Sequence, residues 1–568
     1  MKLFHRILGL LCFRGGILPF LLACTPAVLH AQPIGQFSFA PEFYGIDSSD
    51  SLVNLADVTG AATFYGYGIY GQNTTSWVVD AQAVGPDLFP AETFSNLVYT
   101  YATPDVVTNP GDHATWCAAL LGGYTPPGYY LNTGMAPGTI LGSAAIATST
   151  NSDGSFDIST QSLSAYNYAA THGDVLSTSV GDTSDLAGIG VFSGLLDSLA
   201  VANPNTTMVA AAGNSGPTGN VGGPASGYNT ISVGALDGPP SYNYVANFSS
   251  LGPQPTAWYD GTNSYYYNNG AATRPGVDLV APGTSIVMPA VMTVGTNSIS
   301  FNYYSLAGTS FATPLVAGGA ALLDSTSKTY FDPSLIDAAT RSVVLKAVLM
   351  NSADKLPGWD NGQQMVNGVI TTTQALDYTM GAGRMNLGTA FTQYTTSACV
   401  TTYQGISWTG LNLQVANVGW AYGTVLLGGS NNYTFANQLF AGQQIAVTSD
   451  WFRSQNWNSA TNDYVDVAQA ELDLMIYQVL SGGSDILVAE SISPVSTTQE
   501  LYFQVPSTGT YMIDVGYSTN LFDFSGSYAT QDYGLAWSVE DVPEPSSIML
   551  IGLGGAGLAL LRWRRLKR

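Results

Sequence analysis

The chain is short of positive charge. Only 15 of its 568 residues are Lys or Arg, against 38 Asp or Glu. Eight of those cations lie in the two terminal segments, so residues 32–545 hold seven against all 38 acids, a net of −31. Such a body repels nucleic acid and anionic lipid surfaces, so a polyanion partner is excluded as its main business. Charged residues of both signs make up only 9% of the chain, and Ser, Thr, Asn and Gly must supply a neutral polar surface instead. Cysteine is nearly absent. Cys12, Cys24, Cys117 and Cys399 make neither a disulfide-rich scaffold nor a zinc cluster. No bridge is expected between Cys117, read as a small buried helix residue, and Cys399, so the fold should not depend on bridges. Histidine is just as scarce: His5, His30, His113 and His172. Any chemistry needing an imidazole base has few places to find one.

Long apolar runs occur only at the two ends. Met1–Arg14 is basic, Ile17–Leu29 is mostly apolar, and Ala31 is a plausible last residue before cleavage. Residues 1–31 therefore read as a secretory signal; a lipobox-like Leu21-Leu22-Ala23-Cys24 is the alternative. Residues 32–59 form an N-terminal extension. At the other end, Val542-Pro543-Glu544-Pro545 precedes the Gly-rich apolar stretch 546–561 and then Arg562-Trp563-Arg564-Arg565. At about 1.5 Å per residue this stretch is near the lower limit for a membrane helix. The arginines would stay cytoplasmic and hold the body of the protein outside.

Between these ends, Ala307-Gly308-Thr309-Ser310-Phe311-Ala312-Thr313-Pro314 puts a serine where a small-residue turn enters an apolar helix, Phe311 to Leu323. A helix N-terminus offers unsatisfied N–H groups and a positive dipole end to a developing oxyanion, although Gly-Thr-Ser is also an ordinary helix start. A serine nucleophile needs a base. Outside the signal there are two candidates. His113 opens a helix, Asp112-His113-Ala114-Thr115, that ends at Gly122-Gly123. His172 sits at a helix end beside Gly173, where a cation at a C-terminus explains it. An apolar run ending in a carboxylate, Ser76-Trp77-Val78-Val79-Asp80, places Asp80 at the C-terminal edge of a sheet, where open α/β folds gather their sites. Asp87 and Asp112 are fallbacks, with Asp112 better read as a helix N-cap. Met208-Val209-Ala210-Ala211-Ala212 is a buried strand breaking at Gly213-Asn214, and the Asn214 amide can donate to a tetrahedral oxyanion.

The Ser310 stretch resembles the nucleophile motif of subtilisin-like serine peptidases, the S8 family. The segment around His113 resembles that family's histidine helix. Gly134-Met135-Ala136-Pro137-Gly138, Ser177-Thr178-Ser179-Val180-Gly181, Asn247-Phe248-Ser249-Ser250, Val280-Ala281-Pro282-Gly283, Val348–Asp354 and Gly381–Asn386 follow in the family's order. The resemblance covers roughly residues 60–392. It implies a subtilisin-like α/β fold with a doubly wound, mostly parallel sheet. It also implies an exported serine endopeptidase acting on protein or peptide substrates, with a catalytic triad of Asp80, His113 and Ser310, an oxyanion donor in Asn214, and substrate-binding Ser179, Val180 and Gly181. No cofactor and no metal is implied for the reaction. Three departures stand out: Asp80 is followed by Ala-Gln where the family has Thr-Gly, Ala114 replaces a glycine, and Trp116 replaces a second histidine. Residues before 60 are too few for an inhibitory pro-domain, so help with folding would have to come from elsewhere. The loop Asn151–Asp157 resembles a calcium loop only loosely, and its glycine is misplaced; a solvated turn is the expectation.

Residues 395–541 change character. Leu411, Leu413 and Val415 alternate with polar neighbours, as do Leu472, Leu474 and Ile476, then Leu501, Phe503 and Val505, then Ile513 and Val515. A period of two separated by Asn, Gly and Ser clusters predicts an antiparallel β-sandwich domain, and it resembles the pre-peptidase C-terminal domains of secreted peptidases. Residues 542–568 resemble a PEP-CTERM sorting signal. That implies a Gram-negative-type bacterium, processing by an exosortase, a transient membrane anchor, and release to the cell surface or an extracellular matrix. The competing function is a pseudopeptidase that keeps the fold as a surface or matrix binding protein.

Overall fold

The computed structural model describes residues 43–85, 96–124, 133–152, 155–294, 299–403, 406–407, 410–458 and 463–541. The signal, the sorting segment with its apolar stretch 546–561, and Asp87 lie outside them. Among the described residues no helix is long and apolar enough to cross a membrane.

The first half is built on a twisted sheet. Its path runs Tyr244–Val245, Ile231–Asp237, Thr207–Ala211, Val175–Thr178, Thr75–Asp80, Ile140–Ala145 and Leu97–Tyr101, with Leu279–Pro282 also pairing Ile231–Asp237. Every pairing is parallel except that of Tyr244–Val245. Parallel strands are covered on both faces, which is why Trp77, Val78, Val79, Leu176, Met208 and Val209 read as continuous apolar runs and are all buried. Thr75–Asp80 lies at the turning point of the winding. The chain first builds outward to Leu97–Tyr101 on one side, returns through Ile140–Ala145, then crosses to Val175–Thr178 and continues on the other side. Such switch points open a crevice at the carboxyl ends of the strands.

The helix carrying Ser310 runs from Thr309 to Tyr330, longer than the Phe311–Leu323 stretch expected. Its added turns are polar: Asp324 is buried and paired with Lys328 one turn on, and Lys328 also reaches Asp174. An apolar criterion ends the helix too early because these charges neutralise one another inside. Residues 43–59 pack on the first half. Phe43, Leu55 and Ala56 join the main core, and Tyr44–Ile46 pairs Leu52–Asn54 and Ile286.

Residues 398–540 form two sheets on either side of one core. Leu472, Leu474 and Ile476 face Tyr517, Val515 and Ile513 across an antiparallel ladder in the larger sheet, while Val447, Leu501, Leu535 and Trp537 line the smaller. The alternation legible in the sequence is the burial pattern. Three pairings are parallel, among them Val369–Thr372 with Ile486–Ser491. That pairing means the hairpin Gln364–Thr372, earlier in sequence than the expected boundary, completes the larger sheet. Cys117 is a free buried thiol, whereas Cys399 is disulfide-bonded. No bridge joins Cys117 to Cys399.

The helix Ser342–Asn351 lies between the two halves and is buried along its whole length. Its Lys346 reaches Asp278 of the first half at 3.3 Å and Asp450 of the second at 3.4 Å. Burial raises the Asp450 carboxyl, with Lys346 opposing, to about 7. Lys355 pairs with buried Glu500 at 2.6 Å. The seam therefore holds ion pairs removed from water, where losing one partner is costly.

Candidate active site

Asp80 ends its strand with 2% of its surface exposed. Oδ1 accepts the Ala81 N–H at 2.7 Å, and Oδ2 meets His113 Nδ1 at 2.8 Å. A carboxylate only accepts, so Nδ1 carries the proton, and in the neutral ring Nε2 keeps a lone pair for other work. Burial lowers the affinity of His113 for its second proton, but the Asp80 carboxylate, with help from Cys117, overcomes this and raises its pKa well above 6.5. The Ala-Gln that follows Asp80 has a local role. A Cβ on Gly111 would come within 2.6 Å of the Gln82 side chain, and Gly111 N–H donates to Ala83 O at 2.9 Å. Gln82 thus seats the start of the Asp112–Gly122 helix beside the strand end. Gly111, not Asp112, is the N-cap, and Asp112 is exposed in the first turn. The other histidine lies elsewhere: His172 stacks on Tyr168 at 4.0 Å with Nδ1 against the Tyr168 carbonyl.

Ser310 sits at the second position of its helix, 8% exposed. Pro314, four residues on, has no N–H to give to the Ser310 carbonyl. Two side chains take that carbonyl instead, Ser179 Oγ at 3.0 Å and Cys117 Sγ at 3.4 Å. Cys117 Sγ also lies 4.0 Å from His113 Nδ1. One thiol therefore touches both the serine backbone and the histidine ring. Neither contact was foreseen from the sequence; the hint was the proline spaced four after the serine. Ser310 Oγ itself donates to Ser179 O at 3.3 Å. The Phe311 ring, next in sequence, is 6.1 Å from the His113 ring.

Asn214 follows the strand Thr207–Ala211 through Gly213, whose φ of +106° suits glycine. Its Oδ1 accepts from Thr309 N at 2.9 Å and Thr309 Oγ1 at 3.0 Å. That fixes the amide orientation and turns Nδ2 toward Gly308, 3.6 Å from where a Cβ would stand. Ser179, Val180, Gly181, Asn214, Thr309 and Ser310 line one cavity of about 130 Å³, together with Gly222 and Gly223. Among the described residues Asp182 is its only charged lining residue. Ser179, expected to meet substrate, also holds the Ser310 carbonyl, and Val180 leans on the apolar cluster around Trp77. Thus Ser310, Asn214 and Ser179–Gly181 share one cavity, and Cys117 joins that serine to the Asp80–His113 pair.

Asp80, His113 and Cys117 offer ligand atoms within 4.8 Å of one another. Asp157, in the loosely calcium-like loop, accepts from Ser149 Oγ at 2.6 Å within a short hairpin; Asp153 lies outside the described residues.

The PEP-CTERM protein-sorting motif matches residues 541–565, marking the chain for export. A thermophilic serine proteinase of Bacillus sp. (strain AK1) is 32% identical over 177 residues, 31% of this chain and 32% of that protein. The subtilisin-like protease SBT6.1 of Arabidopsis thaliana is 29% identical over 291 residues, 50% of this chain and 23% of that one. The chain thus spans about a third or less of these relatives' length. A solved structure of MycP1 with its N-terminal propeptide removed superposes with a TM-score of 0.38 at 19% identity, over 60% of this chain and 96% of that one. The subtilase family matches residues 89–383, which include His113, Asn214 and Ser310 and begin just after Asp80. That segment is more than half of the sequence, and the chain belongs to the subtilase family.

Proposed function

We propose that this subtilase is an exported serine endopeptidase working through Asp80, His113 and Ser310. The observation that carries the reading is the 2.8 Å contact of a buried Asp80 with His113, beside a cavity that holds both Ser310 and Asn214. In the reaction, Ser310 Oγ attacks a peptide carbonyl carbon while His113 Nε2 takes its proton. Asp80 holds the ring and stabilises the imidazolium. The oxyanion receives hydrogen bonds from Asn214 Nδ2 and the Ser310 N–H at the helix start. His113 returns the proton to the amine as the C–N bond breaks, and water, deprotonated by the same base, cleaves the acyl ester. For attack, the Ser310 hydroxyl must turn from Ser179 O toward His113; such bonds are often loose before substrate binds. The backbone of Ser179–Gly181 would pair with the substrate chain, and Asp182 at the cavity disfavours acidic side chains there.

Residues 398–540 act in this reading as a β-sandwich of the pre-peptidase type, bracing the catalytic half. The sorting segment would be cut by an exosortase, after transient anchoring, to leave the enzyme at the cell surface or in its matrix. One observation favours the second reading, an inactive binding protein: the Ser310 hydroxyl is occupied by Ser179 O. A serine-directed phosphonate probe separates the two. The peptidase reading expects labelling of the wild type and its loss in both Ser310→Ala and His113→Ala. A folded wild type that takes no label sinks it.

A further inference from the structure

One edge of the cavity that contains Ser310 is tied through Tyr228 and Asn229 to the second half of the molecule. Gly222 and Gly223 line it, and Gly223 exchanges two backbone hydrogen bonds with the neighbouring lining residue Asp182, at 2.6 and 2.9 Å. The wall segment is short and internally tied: Ser226 N–H returns to Gly222 O at 2.9 Å and Gly227 N–H to Pro224 O at 3.0 Å. The first half holds it at Asp182 and through Ser226 Oγ, which donates to Asp185 O at 2.6 Å, and the chain then runs into Tyr228 and Asn229, which reach the second half.

Both are buried, and both are gripped across the seam. The Arg453 guanidinium lies 3.1 Å over the Tyr228 ring and donates to Ala257 O at 2.7 Å. Arg274 covers the same ring at 4.1 Å and donates to Ser226 O at 2.6 Å and Gly227 O at 3.2 Å. Thr497 Oγ1 donates to Tyr228 O at 3.0 Å. Asn229 exchanges a reciprocal pair with the Arg453 backbone, accepting its N–H at 2.8 Å and donating to its carbonyl at 2.9 Å. From the catalytic half, Asp197 accepts the N–H groups of Tyr228 and Asn229 at 2.7 and 2.8 Å. Arg453 has no exposed surface. A fully desolvated guanidinium stacked on a ring and bonded to fixed carbonyls is a rigid, directional anchor.

We propose that Arg453 and Thr497 are positioning residues for the substrate cavity, so that the β-region sets the Gly222–Gly223 wall through Tyr228 and Asn229. This rests on the peptidase reading of the same cavity. It makes the second half a working part of substrate recognition, not a tethered module. Four of the seven cations between residues 32 and 545 support this role by bridging the halves: Lys346 to Asp450, Lys355 to Glu500, Arg453 to Tyr228, and Arg341 stacked toward Tyr422 at 5.4 Å.

The test uses the full exported chain with a panel of short peptide substrates differing at the residue before the cleaved bond. Thr497→Val removes one hydroxyl and leaves the Arg453 stack, so it guards against a variant that cannot fold. Arg453→Lys keeps the charge and loses the planar stack. The expectation is a rise in KM of about 3- to 10-fold for Thr497→Val and about 10- to 100-fold for Arg453→Lys, with kcat changed less than about 3-fold. The ranking of substrates should also change, and the phosphonate should still label Ser310 to full stoichiometry. A purely structural role predicts a lower Tm with KM, kcat and substrate ranking unaltered well below it, and that result overturns the proposal. A wild type that neither cleaves nor takes label overturns the peptidase reading and this inference with it, whereas an active wild type with unmoved variants overturns this inference alone.

Discussion

The candidate site and the seam between the two halves both bury charge, and they do so to opposite effect. At the site, Asp80 is 2% exposed but its partner's side chain is 40% exposed. The pair is shielded on one side and open on the other, so His113 can exchange a proton with something that enters. At the seam, Arg453 and Asp466 have side chains with no exposure, 3.7 Å apart, and Lys346 is only 3% exposed between Asp278 and Asp450. Arg453, Asp466, Lys346 and Asp450 are closed off from solvent, and only the Asp278 side chain, 16% exposed, meets it. The difference teaches that burial alone does not mark a functional group. A charge cluster becomes a candidate for chemistry when one member faces a cavity.

The comparison can be broken by mutation. Ser310→Ala should lower kcat/KM by about 10,000-fold or more, with little change in Tm; a residual activity near the wild-type level would remove Ser310 from the chemistry. Lys346→Met should do the reverse. It leaves buried Asp450 without its cation and part-exposed Asp278 without its partner, at a cost of about 3–5 kcal/mol, read as a fall in denaturant midpoint while the catalytic rate of the folded fraction is kept. Asn214→Ala removes the fixed amide donor and should cost about 100- to 1000-fold in kcat, with KM little changed; an equal loss confined to KM would mean that the amide holds ground-state substrate.

The pH profile sharpens the contrast most finely. Activity requires neutral His113. Because Asp80 raises its pKa well above 6.5, kcat/KM should climb on the alkaline side of the ordinary histidine range. Stability should move the other way. His113 contributes stability below 6.5 that is lost as pH rises through its raised value. The seam acids act in the same direction. Burial raises Asp197 from 3.8 to about 6 and Asp450 from 3.8 to about 7. In that window the folded chain holds protons the unfolded chain has released, so stability falls as pH rises from about 4 to about 7. Exposed Asp47, Asp105, Asp260 and Asp523, held low by their own hydrogen bonds, oppose this only weakly because water screens them. Tm measured at pH 5 and pH 7 beside kcat/KM at both values should show opposite trends. Parallel trends would mean that the seam acids are ionised throughout.

Much of the site was legible because its chemistry is local. Ser310 stands in a short motif at a helix start, His113 is one of two usable histidines, and Asn214 breaks a strand of small residues. Asp80 was legible only as an apolar run ending in a carboxylate, and the Ala-Gln after it departs from the family pattern, with Gln82 lying against Gly111. What could not be read was long-range. Cys117 touches the Ser310 carbonyl from 193 residues away, and the bond from Thr497 to Tyr228 spans 269. The hairpin Gln364–Thr372 alternates poorly, and only its partner strand Ile486–Ser491 makes it part of a sheet. The polar extension of the Ser310 helix was missed for a related reason: Asp324 is buried against half-buried Lys328 one turn on, which an apolar criterion cannot see.

The central claim is that Asp80 and His113 work as one unit on Ser310. A double-mutant cycle in kcat/KM tests it most directly, using Asp80→Asn, His113→Ala and the pair together. Asp80→Asn alone should cost about 10,000-fold, since the amide imposes the wrong ring tautomer. With His113 already gone, the same change should cost less than about 3-fold. Losses that multiply in the double variant would contradict the account and leave Asp80 as a structural carboxylate beside an unrelated base.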